Sequence, residues 1–150
     1  MQFSPKGVIH ASDIEKGTFT CYEIKSCKED VYSGNGLNFY GERNYIIVTM
    51  DTYRKLQADI SSGILTRYIA EHYPESSLYY GIMIPVPRSI DLRDKAALCA
   101  ECETPTEFGG SYLDWKLWTA VSCREGPRDR SAVELLFCML RSKHSYTNLL

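Results

Sequence analysis

Two charged residues near the start of the chain have the types and spacing of a hydrolytic site. Glu23 and Lys25 are separated by one residue in a run that alternates apolar and polar side chains, so both project from the same face of a predicted strand. A carboxylate can hold a divalent metal that activates water, and an ammonium beside it can offset the charge that develops when a phosphodiester is attacked. Glu-x-Lys is also a common tripeptide, and the alternative interpretation is a solvent-facing strand with alternating charge.

The elements that would position this pair are a β-hairpin, a loop and a buried strand. We predict strands over residues 8–12 and 18–25, joined by a turn at Lys16-Gly17. A glycine-containing polar loop follows over residues 32–38. The run over residues 44–50 is apolar, β-branched and too short for a helix, which is typical of a central strand covered on both faces.

The later part of the chain alternates helices and strands. Two helices are predicted after the central strand, the first capped by Asp51 or Thr52 and the second ended by Pro74. The final helix begins with a capping box of Ser131 and Glu134, and its continuous apolar run predicts burial against the sheet. The remaining strands are predicted over residues 78–87 and, either at an edge of the sheet or as an added strand, 115–123. This order indicates an α/β fold with a central mixed β-sheet flanked by helices.

Length, charge and cysteine content set broad limits on function. The 150 residues fit a single domain spanning residues 1–150. A net charge of -2 with 24% charged residues gives no overall basic field, so contact with nucleic acid would need a local patch. Without a leader sequence or a run of roughly 20 apolar residues, we expect a cytoplasmic protein that does not enter a membrane. We expect most of the six cysteines to be buried thiols.

A longer segment around the charged pair has a recognisable order of features. It reads GTFTCYEIKSCKEDVYSGNGLNFYGERNYIIVT from Gly17 onward, and in it Glu-Ile-Lys ends a strand, Ser26 and Asp30 follow, and a tyrosine-containing loop precedes the strand NYIIVT. In this order the chain resembles the PD-(D/E)xK nucleases of the restriction-endonuclease-like fold, and more narrowly their small phage and bacterial members of the MmcB-like type. The resemblance extends over roughly residues 8–87.

The resemblance implies a restriction-endonuclease-like core and a Mg²⁺- or Mn²⁺-dependent nuclease acting on DNA. It implies that Glu23 is a catalytic residue and metal ligand, that Lys25 is the catalytic lysine, and that the main-chain carbonyl of Ile24 is a further metal ligand. Lys28 and Asp30 would line the mouth of the site and contact the substrate.

The second acid of the family, expected on the preceding strand beside Glu23, has no match here. The predicted hairpin pairs His10 with Glu23 and Asp13 with Thr20, and the latter pair lies about 10 Å away along the strand. His10 would be either a softer metal ligand or a simple cross-strand partner. We therefore expect weak or absent nuclease activity, either because the chain is a degenerate nuclease-shaped protein or because the acid lies upstream of Met1 in a longer form.

The cysteines and the basic residues have functional and structural interpretations. Cys99-x-x-Cys102 with Cys123 could begin a zinc site, although a structural zinc usually takes two close-spaced pairs. The basic clusters would grip phosphates only if they converge on one face. These clusters are Arg54 with Lys55, Arg124 with Arg128 and Arg130, and Arg141 with Lys143.

The loop aromatics leave an enzyme and a binding module open as functions. Tyr40, with Tyr32 and Phe39, would either contact a nucleic-acid strand by stacking or close the core under the loop. A binding module would share the sheet without catalysis, as a partner in phage or mobile-element DNA processing or as a homo-oligomer that buries this loop. A carboxylate close to Glu23 would favour the enzyme, and His10 facing it would favour the binding module.

Overall fold

The computed structural model describes residues 1–7, 10–94 and 115–144. The strands are β1 (Gln2–Ser4), β2 (Thr18–Ile24), β3 (Arg43–Ile47), β4 (Gly81–Pro87) and β5 (Trp115–Val121). The α-helices are α1 (Lys28–Val31), α2 (Met50–Ser61), α3 (Ile64–His72) and α4 (Ala132–His144), and Ala11–Lys16 form a 3-10 helix. Within these described ranges, no helix combines the length and apolarity needed to cross a membrane.

All five described strands belong to one mixed sheet in the order β1-β2-β3-β4-β5. The central strands β2, β3 and β4 are parallel, and the edge strands β1 and β5 are antiparallel to their neighbours. The parallel strands are joined through α1 and through α2 with α3, as parallel neighbours require a crossover. The predicted α/β fold with a central mixed sheet is confirmed, and so is the placement of the run 115–123 at an edge.

The described helices pack on one face of this sheet. Residues opposite each other in the parallel ladder have side chains on the same face, which places Glu23, Ile46 and Ile82 together. Ile46 and Ile82 are fully buried with Leu56 of α2 and Ile69 of α3. On the other face of β3 the side chains are half-exposed, so the prediction that the run 44–50 is covered on both faces is wrong for the described part of the chain.

The start of the chain differs from the predicted hairpin. The strand that pairs with β2 is β1, with Phe3 opposite Phe19. The 3-10 helix contains the last two residues of the predicted first strand and Lys16 of the predicted turn. Phe3 and Phe19 have ring centroids 4.7 Å apart, and a Cβ on Gly17 would overlap the Phe3 ring. The absence of a side chain at Gly17 therefore allows the aromatic contact that fixes this register. Val8 and Ile9 lie outside the described residues.

The helices begin and end close to where the sequence predicts. Helix α3 ends at His72, two residues before Pro74, and the Glu134 amide donates to the Ser131 hydroxyl at 3.2 Å, as the capping box requires. The cap of α2 lies two to three residues earlier than predicted, because the Thr49 hydroxyl, rather than Asp51 or Thr52, accepts from the Thr52 amide at 3.3 Å.

The final helix α4 is not buried on all sides. Ala132 and Leu135 are fully buried against Phe19, whereas Val133 and Phe137 are 67% and 63% exposed. The prediction that the whole apolar run packs against the sheet is wrong, because only one side of an α-helix can face the single surface on which it lies.

The cysteines are also more exposed than predicted. Of the four described cysteines, all of them free thiols, only Cys21 is buried, whereas Cys27 and Cys138 are exposed. Cys123 is intermediate in exposure and donates to main-chain oxygens. The pair considered as the start of a zinc site, Cys99 and Cys102, lies outside the described residues.

Candidate functional site

A buried lysine lies among three oxygen atoms at the end of β2. Only 3% of the Lys25 side chain is exposed, and its ammonium donates to the main-chain oxygen of Asn35 at 2.5 Å. The carboxylate of Asp30 lies 3.5 Å from the same nitrogen and that of Glu23 lies 3.8 Å from it. Because a buried charge is costly unless it is paired, these oxygens explain how the ammonium is accommodated.

The sheet brings Glu23 and Lys25 to this position. The Lys25 amide donates to the Ile47 oxygen at 3.0 Å, one step beyond the last assigned residue of β2, so the ladder to β3 extends to the lysine. Backbone groups of alternate strand residues point to opposite neighbours, so the Ile24 carbonyl points away from β3. The cluster thus lies at the carboxyl ends of parallel strands, where open α/β sheets bind ligands.

Asp30 is held in place by hydrogen bonds from Ser26, which precedes α1. Its carboxylate accepts from the Ser26 amide at 2.9 Å and from the Ser26 hydroxyl at 3.2 Å. The amide hydrogen bond is the largest cause of the lowered pKa of Asp30, and the Lys25 charge adds to it. Asp30 is therefore ionised at neutral pH.

Glu23 has the opposite tendency. Burial raises the pKa of its carboxyl group, and the nearby Asp30 charge raises it further, while the Lys25 ammonium opposes both effects. The side chain is 35% exposed and lines a cleft with Cys21, Phe39 and, from α4, Met139. Glu23 is thus a partly desolvated carboxylate that solvent still reaches.

A glycine-containing loop closes over the pair. Gly34 and Gly36 have φ of +78° and +79°, and Leu37, with φ 50°, is the only described non-glycine residue at positive φ. A Cβ on Gly36 would overlap the Glu23 carboxylate, so the loop backbone lies directly against this acid. Leu37 is fully buried, and its packing holds the left-handed backbone in place.

Two tyrosines from α3 and its end lie under this loop. The Tyr68 hydroxyl accepts from the Gly34 amide at 3.0 Å. The Tyr73 hydroxyl is buried and has no hydrogen-bond partner among the described residues. Burial raises the pKa of Tyr73, and the charges of Tyr68 and Glu23 raise it further.

Two other predicted site residues lie in different surroundings. The Lys28 ammonium pairs with Asp59 at 2.7 Å and donates to the Lys55 oxygen, so it points along α2. The Tyr40 ring packs in the cluster around Phe19, with the Arg130 guanidinium 4.0 Å from its centroid. The structure therefore brings Glu23, Lys25 and Asp30 together and leaves Lys28 and Tyr40 apart from them.

The charged neighbours of Glu23 differ from the predicted cross-strand partner His10. In the observed register β1 pairs Gln2 with Thr20, so His10 is not opposite Glu23, and the predicted pairs of His10 and Asp13 are wrong. Asp13 binds Lys16 at 2.5 Å within the 3-10 helix. The carboxylate that shares the Lys25 ammonium with Glu23 is Asp30.

Several residues of this cluster were not predicted from the sequence. Asn35 contributes a main-chain oxygen, which any residue type would supply, and Tyr73 is fifty positions away from Glu23 in the chain. The signal that was available is the pair of glycines in Ser33–Leu37, because closely spaced glycines often mark left-handed backbone near a site.

The donor set does not fit a resident divalent ion. The Glu23 and Asp30 carboxylates and the Ile24 carbonyl are oxygen donors of the kind that Mg²⁺ and Mn²⁺ prefer. The Lys25 ammonium, however, occupies the position between the two carboxylates that a shared ion would take. In the described part of the chain, no three His, Cys, Asp or Glu side chains form a metal-binding group.

Two arginines of the predicted basic clusters, Arg128 and Arg130, form ion pairs with carboxylates of the same chain. Arg128 binds Glu15 at 2.6 Å and Glu42 at 3.0 Å, and only 10% of its side chain is exposed. Arg130 binds Glu134 at 2.6 Å and lies over Tyr40. These two guanidiniums hold the segment before α4 against the sheet, and their carboxylate partners leave them little capacity for phosphate.

Comparison with known proteins identifies no relative of this chain. No family model matches the chain, and neither a curated protein nor a solved structure is detectably similar to it.

Proposed function

We propose that this chain is a nuclease-like hydrolase in which Glu23 is the reacting carboxylate. The observation that carries the proposal is the environment of Glu23, which is solvent-accessible in a cleft, beside a buried ammonium, with its pKa raised. Perturbed carboxyl groups in clefts are common at catalytic sites. The resemblance to PD-(D/E)xK nucleases gives the substrate class, a phosphodiester of DNA, and a restriction-endonuclease-like origin for the core.

Glu23 would act as a general base. Its free carboxylate oxygen takes a proton from water, the water oxygen bonds to phosphorus, the phosphorus–oxygen ester bond breaks, and the leaving oxygen takes up a proton from solvent. A carboxylate whose pKa is raised is a stronger base than an ordinary one. This chemistry uses the chain's own residues and takes no step through a metal.

Lys25 and Asp30 act as positioning residues in this scheme. The Lys25 ammonium is buried, so it does not contact substrate directly, and it holds both carboxylates by charge. Asp30, fixed by Ser26, holds the ammonium from the far side and raises the pKa of Glu23 by repulsion. Together they set the orientation and basicity of Glu23.

The test is cleavage of fluorescently labelled single-stranded, duplex and branched DNA by the purified chain, with EDTA, Mg²⁺ or Mn²⁺ in separate reactions. We expect weak cleavage by the wild type and a loss of about 100-fold or more in Glu23→Gln, the size typical of removing a general base. Glu29→Gln is the matched control, because Glu29 is an exposed acid on α1. No cleavage by the wild type under any condition, or equal loss in both variants, would overturn the proposal.

A non-catalytic binding module is the second candidate, and one observation favours it. Lys25 is already satisfied by two carboxylates and a main-chain oxygen, so the cluster also has the character of a closed structural tie. This candidate predicts DNA binding by fluorescence anisotropy with no cleavage by the wild type, and unchanged binding in Glu23→Gln. DNA that is neither bound nor cleaved would exclude both candidates.

A further inference from the structure

Helix α4 carries a second apolar face that points away from the sheet. Val133, Phe137 and Leu140 are 67%, 63% and 63% exposed. Ala132 and Leu135, on the opposite side of the same helix, are fully buried against Phe19. Single exposed apolar side chains are ordinary, but a row of three large ones along one helix marks an interaction surface.

The spacing of this row is that of a helix-pairing seam. The three residues are separated by four and then three positions, which places them on one stripe of the helix. The same alternation of four and three defines the apolar positions of a coiled coil. The stripe is therefore suited to receive another helix lengthwise.

The charged residues beside the stripe are complementary to the same residues on a second copy of the chain. Glu134 and Arg141 are seven residues apart, so they flank the stripe on the same side, and both are exposed. In an antiparallel pair of α4 helices, Glu134 of each copy faces Arg141 of the other, which forms two ion pairs. In a parallel pair the two residues lie two turns apart along the axis and do not meet. Glu134 also binds Arg130 at 2.6 Å in its own chain, and a carboxylate can accept from two guanidiniums.

We propose that two copies of this chain associate through α4, antiparallel, with the Phe137 side chains near the two-fold axis. A second copy is the occupant that fits, because an isologous contact requires a surface that is complementary to itself in both shape and charge. The contact is confined to one thirteen-residue helix on each side, so we expect a weak dimer with a dissociation constant on the order of 10–100 µM. The proposal does not depend on the nuclease-like function.

Sedimentation equilibrium over about 5–500 µM, which brackets the affinity expected for so small an interface, tests the proposal on the full chain. We expect a reversible monomer–dimer equilibrium in the wild type and a monomer throughout in Phe137→Glu. Ile64→Glu is the matched control, because Ile64 is 48% exposed at the start of α3, away from the stripe, and should dimerise as the wild type does. A wild type that stays monomeric at the highest concentration, or a dimer that survives Phe137→Glu, would overturn the proposal.

A charge exchange distinguishes the antiparallel arrangement from other dimers. Glu134→Lys and Arg141→Glu each place like charges across the pair, and we expect each alone to dimerise several-fold more weakly than the wild type. An equimolar mixture restores both ion pairs in the mixed dimer and should recover the wild-type affinity. A mixture that does no better than either variant contradicts the antiparallel pair. Arg141→Glu leaves the Ser131 cap intact, so it remains informative if Glu134→Lys loosens the start of the helix.

Discussion

The Lys25 ammonium lies 3.8 Å from the Glu23 carboxylate, and only 3% of the lysine side chain is exposed against 35% of the glutamate. The lysine is thus the buried member of the pair and the glutamate the accessible one. The two residues therefore have different roles in the proposed function. Solvent and substrate reach Glu23, whereas the charge of the buried Lys25 ammonium acts on the Glu23 carboxylate from inside the protein.

Replacing Lys25 should destabilise the fold. Lys25→Met leaves Glu23 and Asp30 close together without their shared counter-charge. We expect the free energy of unfolding to fall by about 2 kcal/mol. This cost is smaller than that of breaking a fully buried pair, because both carboxylates are about a third exposed. Lys28→Met is the control, since 34% of the Lys28 side chain is exposed, and losing its pair with Asp59 should cost at most about 1 kcal/mol. Urea unfolding measures both, and an equal cost would contradict a special role for Lys25.

The two carboxylates should give stability profiles of opposite sign against pH. The pKa of Glu23 is raised in the folded state, so its contribution to stability is present below the unfolded pKa and is lost as pH rises through the folded value. The pKa of Asp30 is lowered, so its contribution is present above the unfolded pKa and is lost as pH falls through the folded value.

The difference in unfolding free energy between the wild type and each variant, followed from pH 3 to 8, separates the two effects. Relative to Glu23→Gln, the wild type should lose stability as pH rises. Relative to Asp30→Asn, it should lose stability as pH falls. Two profiles of the same sign would show that the electrostatics of the cluster differ from those described.

The glycine loop should respond to substitution at Gly36 more than at Gly34. Both have positive φ, so alanine at either position should cost about 1 kcal/mol through the left-handed backbone. Only at Gly36 does the new Cβ meet Glu23, since nothing lies within 4 Å of a Cβ on Gly34. Gly36→Ala should therefore also shift the Glu23 titration, measured by carboxyl carbon NMR, whereas Gly34→Ala should not. An unchanged titration in Gly36→Ala would mean that the loop does not rest on the acid.

Removing the Tyr73 hydroxyl should not cost stability. This hydroxyl is buried without a hydrogen-bond partner among the described residues, so Tyr73→Phe should be neutral or stabilising by up to about 1 kcal/mol. Tyr32→Phe provides the comparison, because the Tyr32 hydroxyl donates to Asp59 at 2.8 Å and its loss should cost about 1 kcal/mol. Thermal unfolding of the two variants gives the answer, and a clear loss in Tyr73→Phe would indicate that the hydroxyl is bonded.

The sequence was most informative where a pattern is local. The apolar run of β3, the helix that Pro74 ends and the Ser131 cap all depend on neighbouring residues, and their positions follow to within a few residues. The start of the chain was predicted wrongly because β1 has only three residues, too few for alternation to show, and because its register depends on the contact of Phe3 with Phe19.

The candidate site was predicted only in part. Glu23 and Lys25 share a strand, so their common face follows from strand geometry. Asp30 comes close to them through the turn after β2 and is held there by hydrogen bonds from Ser26. Asn35 contributes a main-chain oxygen, and because every residue has one, the residue type does not predict this contact. Contacts that depend on loop conformation leave little trace in residue spacing.

The most direct test of the account is the pH dependence of DNA cleavage by the wild type, Glu23→Gln and Glu29→Gln. A general base with a raised pKa predicts a wild-type rate that increases as pH rises through that pKa and then levels off, the same profile in Glu29→Gln, and almost no rate in Glu23→Gln. A wild-type rate that Glu23→Gln leaves unchanged, or a wild type that cleaves no DNA at any pH, would contradict Glu23 as the reacting group.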